Sequence, residues 1–85
     1  MDDRWSVYIV RCADGALYTG ATNDVAKRLK AHNAGKGAKY TRSRRPVKLV
    51  CCVGGLTRGE ALSLECRVKR QRRQNKVAYL EAFQR

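Results

Sequence analysis

Apolar and polar residues alternate over residues 5–12 and again over residues 16–22, with Ala13-Asp14-Gly15 between them. Two alternating runs around a turn of that composition predict a β-hairpin. Its register decides which side chains share a face. A two-residue turn at Asp14-Gly15 pairs Ala13 with Ala16 and sends Tyr8 and Tyr18 to opposite faces, mixing polar and apolar groups on both. A three-residue loop with Gly15 in the left-handed region pairs Cys12 with Ala16 instead. Trp5, Val7, Ile9, Leu17 and Ala21 then share one face, and Tyr8, Val10, Tyr18 and Gly20 the other. The first face is the expected core; the tyrosine face is the candidate site.

Beyond the hairpin the period lengthens. Thr22, Asn23 and Asp24 are all capping types, and Val25, Leu29 and His32 follow at helical spacing, so a helix is expected over residues 24–33, ending near Gly35. Residues 33–46, basic, with two glycines and no acid, read as a long connection, a feature usually functional or disordered. A third strand is expected over residues 47–53, with Val47, Leu49, Cys51 and Val53 on one side, closing at Gly54-Gly55. A second helix follows over residues 57–74, and a short one over residues 76–83 turns Val77, Leu80 and Phe83 inward. Three strands need helices over at least one face, which predicts a small α/β sandwich.

Length and charge sharpen this picture. A chain of 85 residues holds one core, so residues 1–85 are expected to form a single domain. Hydrophobic residues make up 44% of it, too many for a disordered chain. Lys and Arg number 19 against 7 Asp and Glu, a formal net charge of +12, which points to a polyanionic partner. The acidic start Met1-Asp2-Asp3 is unlike a signal peptide and no apolar run approaches a membrane span, so a cytoplasmic protein without membrane contact is expected. Cys12, Cys51, Cys52 and Cys66 lack zinc-type spacing, and buried free thiols are the expectation over a zinc site shared with His32.

Several residues carry candidate chemistry. On a helical projection from Ala61, Leu62, Leu64 and Val68 form an apolar sector, and Glu65 falls inside it at ~40°. A carboxylate there needs a cation, either Lys69 at i+4 or a divalent metal. Arg28 and His32 lie four apart on the first helix and can face one phosphate, although His32 alone reads as a satisfied core histidine. Lys36, Lys39, Arg42, Arg44 and Arg45 in the connection, with Lys69, Arg72 and Arg73 on the second helix, can track a nucleic-acid backbone. Tyr40 is available to stack on a base of a locally single-stranded substrate.

Taken together, Ser6-Val7-Tyr8, Tyr18-Thr19-Gly20 ten residues on, Thr22, Arg28, His32 and a later helical Glu65 resemble the GIY-YIG nuclease domain, specifically its small stand-alone members. Ser6 stands where the first motif has Gly and Thr19 where the second has Ile; neither change removes a functional group. The resemblance implies a three-stranded antiparallel sheet flanked by helices, and hydrolysis of DNA phosphodiester bonds with one divalent ion, magnesium or manganese, on Glu65. It implies that Tyr8 orients or deprotonates the attacking water, that Arg28 stabilises phosphate charge, that Tyr18 and His32 position phosphate or water, and that Tyr40 bonds near the same phosphate. Tyr8 and His32 both stay open as the proton acceptor, and Arg28 with the metal is expected to favour the Tyr8 phenolate. No second carboxylate is expected beside Glu65, which fits a one-metal site. Cleavage selective for DNA structure rather than for base sequence is expected, and no protein partner is evident. The competing reading is a non-catalytic DNA- or RNA-binding module on the same fold.

Overall fold

The computed structural model describes residues 3–83, so Met1 and Asp2 of the acidic start lie outside the described residues. Strands β1 (Trp5–Arg11), β2 (Leu17–Thr22) and β3 (Lys48–Leu56) form an antiparallel sheet in the order β2-β1-β3. Helices α1 (Val25–Asn33) and α2 (Lys39–Arg42) lie between β2 and β3, and α3 (Arg58–Lys69) and α4 (Arg73–Glu81) follow β3. The α/β architecture of a small three-stranded antiparallel sheet flanked by helices is thus the one expected.

The hairpin closes through the three-residue loop. Cys12 N–H donates to Ala16 O at 2.8 Å, Gly15 N–H donates to Cys12 O at 2.9 Å, and Gly15 has φ +85°. Tyr8 therefore stands opposite Gly20 and Val10 opposite Tyr18, and the two tyrosines share a face as predicted. Behind them Val7, Ile9 and Leu56 pack with Ala61, Leu64 and Val68 of α3 and Leu80 of α4. On the tyrosine face a smaller cluster joins Tyr8, Val10, Cys12 and Val47, with Leu29 of α1 against it.

The helices start and stop for local reasons. Asp24 caps α1 by accepting from Lys27 N–H, and α1 ends where Gly35, at φ +77°, lets Lys36 N–H return to Ala31 O at 2.8 Å. Thr57 and Glu60 form a reciprocal capping box at the start of α3. The single helix expected over residues 57–74 is in fact broken after Lys69, with Arg72 extended. No Gly or Pro marks that break in the sequence. Lys76 Nζ instead donates to Lys69 O at 3.1 Å, covering the end of α3 while α4 turns Val77, Leu80 and Phe83 onto the core.

Three other expectations are corrected. β3 runs on through Gly54-Gly55 to Leu56, and its register to β1 shifts between Ile9 and Val10. Such a bulge reverses the facing of the residues beyond it, so Val47 joins the tyrosine-side cluster while Cys51 and Val53 pack on the other face. Leu62 is exposed rather than part of the α3 core stripe. The cysteines divide: Cys12 is buried and Cys51 half-buried, but Cys52 and Cys66 are exposed, and all four are free. Among the described residues no three His, Cys, Asp or Glu side chains cluster as metal ligands, and no helix is long and apolar enough to cross a membrane.

Candidate active site

The site is built on the tyrosine face of the hairpin. Tyr8 is buried at the centre of the sheet, and its ring passes over Gly20 so closely that a Cβ there would meet Tyr8 Oη at 2.5 Å. The glycine of the second motif is required for space, since its φ is not positive. Tyr18 lies beside Tyr8 with ring centroids 6.5 Å apart, and both rings meet the edge of His32, at 5.9 and 5.3 Å.

His32 is the focal residue. It is 1% exposed, and Tyr8 Oη lies 2.8 Å from its Nε2 while Thr41 Oγ1 lies 2.7 Å from its Nδ1. It is a satisfied core histidine, and its partner is the candidate catalytic phenol. Gly37 crosses above it where a Cβ would fall 2.4 Å from Nδ1. Neither Thr41 nor Gly37 is among the residues expected from the sequence. Both sit in the connection over residues 33–46, which contains the unpredicted α2, and no local pattern links Thr41 to a histidine nine positions earlier.

Burial, with the nearby Arg28 charge second, holds His32 below its ordinary imidazole pKa of 6.5. The unfolded chain therefore binds a proton that the folded one refuses as pH falls below that value, so stability falls with it. Because His32 is the sole histidine, wild type should lose more Tm than His32→Gln between about pH 7.5 and 5.5. Equal slopes in thermal melts of the two proteins would contradict a neutral buried His32.

Tyr8 is likewise pushed above the ordinary phenol range, first by burial and then by Tyr18, with Glu65 adding to the rise; Arg28 opposes it without prevailing. With Arg28 alone beside it, Tyr8 rests as the phenol. Glu65 sits at the margin of the packed face of α3, its side chain 18% exposed, and accepts an ion pair from Lys69 Nζ at 2.9 Å. That pair, the simpler of the two cations anticipated for Glu65, raises the Lys69 pKa. Lys69 Nζ also lies 5.9 Å from the Tyr18 ring, which places the α3 side chains at the rim of the tyrosine site. Arg28 is exposed on α1, close enough for its charge to act on both Tyr8 and His32.

The cations expected to grip a backbone separate into two groups. Lys36, Lys39, Arg42 and Arg72 are exposed. Arg44 is engaged: it pairs with Asp14 at 3.0 Å, donates to Tyr40 O at 2.8 Å and lays its guanidinium 4.2 Å from the Tyr40 ring centroid. Arg45 donates to Arg42 O at 2.9 Å, Arg73 to Gly15 O, and Lys69 to Glu65. Tyr40 itself stacks on Tyr18 with centroids 5.9 Å apart. A base reaching Tyr40 meets a ring already engaged by Tyr18 and Arg44. Beside it opens a cavity of about 420 Å³ lined by Leu17, Tyr18, Thr19, Tyr40, Lys69 and Arg73 among others.

Known proteins resemble this chain in sequence and in fold. The chain is 45% identical over 84 residues to a UPF0213 protein of Streptococcus pneumoniae, covering 99% of this chain and 85% of that one. It is 53% identical over 74 residues to a UPF0213 protein of Bacillus pumilus, covering 87% and 76%. The solution structure of protein EF2693 from E. faecalis superposes with a TM-score of 0.63 at 39% identity, over 98% of this chain and 88% of that one. The sequence profile of the GIY-YIG catalytic domain matches residues 4–78. Tyr8, Tyr18, Gly20, Arg28, His32 and Glu65 all fall within that span, and the chain belongs to the GIY-YIG nuclease family.

Proposed function

We propose that the protein is a metal-dependent endonuclease that hydrolyses DNA phosphodiester bonds and selects its substrate by structure rather than by base sequence. The observation that carries this reading is the 2.8 Å contact between Tyr8 Oη and Nε2 of a neutral, buried His32, facing a rim that holds Arg28 and Glu65. Nucleases of this family generally use divalent metals, and the donor set here fits one. Magnesium keeps most of its waters and needs only one or two protein carboxylates alongside substrate phosphate. Glu65 supplies one carboxylate, already holding a cation in Lys69, which the ion would displace. When bound there, the ion would supply positive charge to the phosphate and the leaving oxygen.

The remaining steps belong to this chain. Tyr8 Oη takes a proton from the attacking water as its own proton passes to His32 Nε2, so the positive charge ends on the imidazole. The water oxygen bonds to phosphorus while the opposite P–O ester bond breaks. Arg28 offsets the charge gathering on the non-bridging oxygens, and Tyr18 holds the phosphate against the hairpin. Because the two transfers occur together, Tyr8 never has to persist as the phenolate that its raised pKa disfavours. Lys36, Lys39, Arg42, Arg72 and Arg28, all exposed, hold the flanking backbone.

One observation favours the second reading. Lys69 neutralises Glu65 without any metal, as a DNA- or RNA-binding module with no catalysis would need. Incubation with single-stranded, duplex, flapped and branched DNA and with RNA, each with magnesium or with chelator, separates the two. Metal-dependent cleavage of at least one DNA is expected, and cleavage of none moves the function to the binding module. In the same series, duplex affinity should fall with a log-log salt slope of about −4 to −5, from about five phosphate contacts at −0.9 each. A flat slope would mean that the basic surface serves something other than a phosphate backbone.

A further inference from the structure

We propose that Thr41 is a positioning residue that sets the tautomer of His32, keeping the Nε2 lone pair turned toward Tyr8. Its catalytic meaning rests on the nuclease reading above; its geometry does not. Thr41 is fully buried, and its Oγ1 donates to Ala38 O at 3.0 Å while lying 2.7 Å from His32 Nδ1. A carbonyl oxygen only accepts, so the single hydroxyl proton of Thr41 is committed to Ala38 and its oxygen presents a lone pair to the ring. Nδ1 must then carry the ring hydrogen. A neutral imidazole has one N–H, which leaves Nε2 as the acceptor for the Tyr8 hydroxyl at 2.8 Å.

The opposite polarity satisfies fewer groups. Were Thr41 to donate to Nδ1, Nε2–H would point at Tyr8 Oη and the Tyr8 proton would lose the partner it has in His32. Tyr8 is 3% exposed and His32 1%, so losing that bond would leave a buried donor without its partner in the resting protein, and in the observed arrangement no buried side-chain polar atom among the described residues lacks one. The segment after α1 is shaped for this contact. Gly37 lets the backbone pass over the imidazole, and Ala38 O accepts from Thr41 N–H at 3.2 Å as well as from its hydroxyl, tying the residue down at both ends. The groups bearing on the ring are Tyr8 and Tyr18 from the hairpin, Arg28 from α1 and Thr41 from α2; the only full charge among them, Arg28, favours the neutral imidazole.

Because the chain has one histidine, ¹⁵N-labelled protein yields a single imidazole pair whose shifts report the tautomer without any substrate. Wild type near neutral pH should show a pyrrole-type Nδ1 and a pyridine-type Nε2. Thr41→Val, close in shape but without the hydroxyl, should give mixed or reversed tautomers. It should lower kcat by roughly 10²-fold or more, with KM little changed, on any DNA that wild type cuts. Thr41→Ser should restore both. A wild-type spectrum with the hydrogen on Nε2, or a folded Thr41→Val protein that keeps the wild-type pattern, would overturn the proposal. Should Thr41→Val not fold, the wild-type and Thr41→Ser spectra still decide, since both must show Nδ1–H. Nδ1–H in wild type together with no cleavage of any substrate would sink the nuclease reading and leave the tautomer assignment standing.

Discussion

Replacing Glu65 with glutamine should abolish magnesium-dependent cleavage while leaving DNA binding in metal-free buffer unchanged or tighter. The amide keeps the shape of the side chain but loses the charge that holds a cation. In the structure that charge is met by Lys69 at 2.9 Å, and the lysine ammonium stands 5.9 Å from the Tyr18 ring. Glu65→Gln therefore releases Lys69 toward the phosphate and removes a negative charge beside it, and both changes favour a polyanion. The structure also limits the cost to stability. The Lys69 side chain is 51% exposed, so its ammonium remains hydrated when the partner is lost, and an ion pair of that kind contributes only ~0–1 kcal/mol. A small change in Tm with complete loss of cleavage is the expected pair of results. Cleavage by well-folded Glu65→Gln at the wild-type rate would overturn the assignment of Glu65 to the metal; a large loss of Tm with cleavage intact would make it a structural partner of Lys69 instead.

Gly20→Ala should cost nearly as much activity by a different route. A methyl group at residue 20 would lie 2.5 Å from Oη and 2.6 Å from Cζ of Tyr8, well inside van der Waals contact. The phenol must move, and its Oη is tied to His32 Nε2 at 2.8 Å, so the displacement disturbs the bond that carries the proton. A shift of about 1 Å in a reacting group lowers rates on the order of 10²-fold. Overpacking of this kind also destabilises by ~1–3 kcal/mol. Gly59→Ala is the control: nothing lies within 4 Å of its added Cβ, and it sits within α3 without a positive φ. That substitution should be neutral or raise stability by ~0.5–1 kcal/mol. Turnover measured beside circular dichroism tests both, and a Gly20→Ala enzyme that cuts at the wild-type rate would mean that Tyr8 is not held where the reaction needs it.

Much of the fold can be read along the chain because its signals are local. The period-two pattern around Gly15 admits one register that separates apolar from polar side chains, and the hydrogen bonds of Cys12 follow it. Asp24, Gly35 and Thr57 mark helix ends by short-range capping, and each acts at the place its chemistry indicates. Errors fall where the cause is distant. The bulge opposite Ile9 and Val10 reverses the facing of Val47 without a Gly or Pro to announce it, and the end of α3 depends on Lys76 reaching back from α4.

The site divides along the same line. Residue types and spacing determine that Tyr8 and Tyr18 share one face of the hairpin and that Arg28 and His32 share one side of α1, because a strand sends alternate side chains to one face and a helix aligns residues four apart. They also determine the surplus of positive charge. Tertiary structure alone decides how those groups are tuned. Which arginines are spent on Asp14, Tyr40 and Arg42 follows from the path of residues 36–46, where like charges give no sequence signal to tell them apart. The low pKa of His32, the high one of Tyr8 and the bond between them arise from burial and from a threonine brought over by a turn. Burial and long-range contact belong to the packed chain as a whole, so no stretch of sequence carries them by itself.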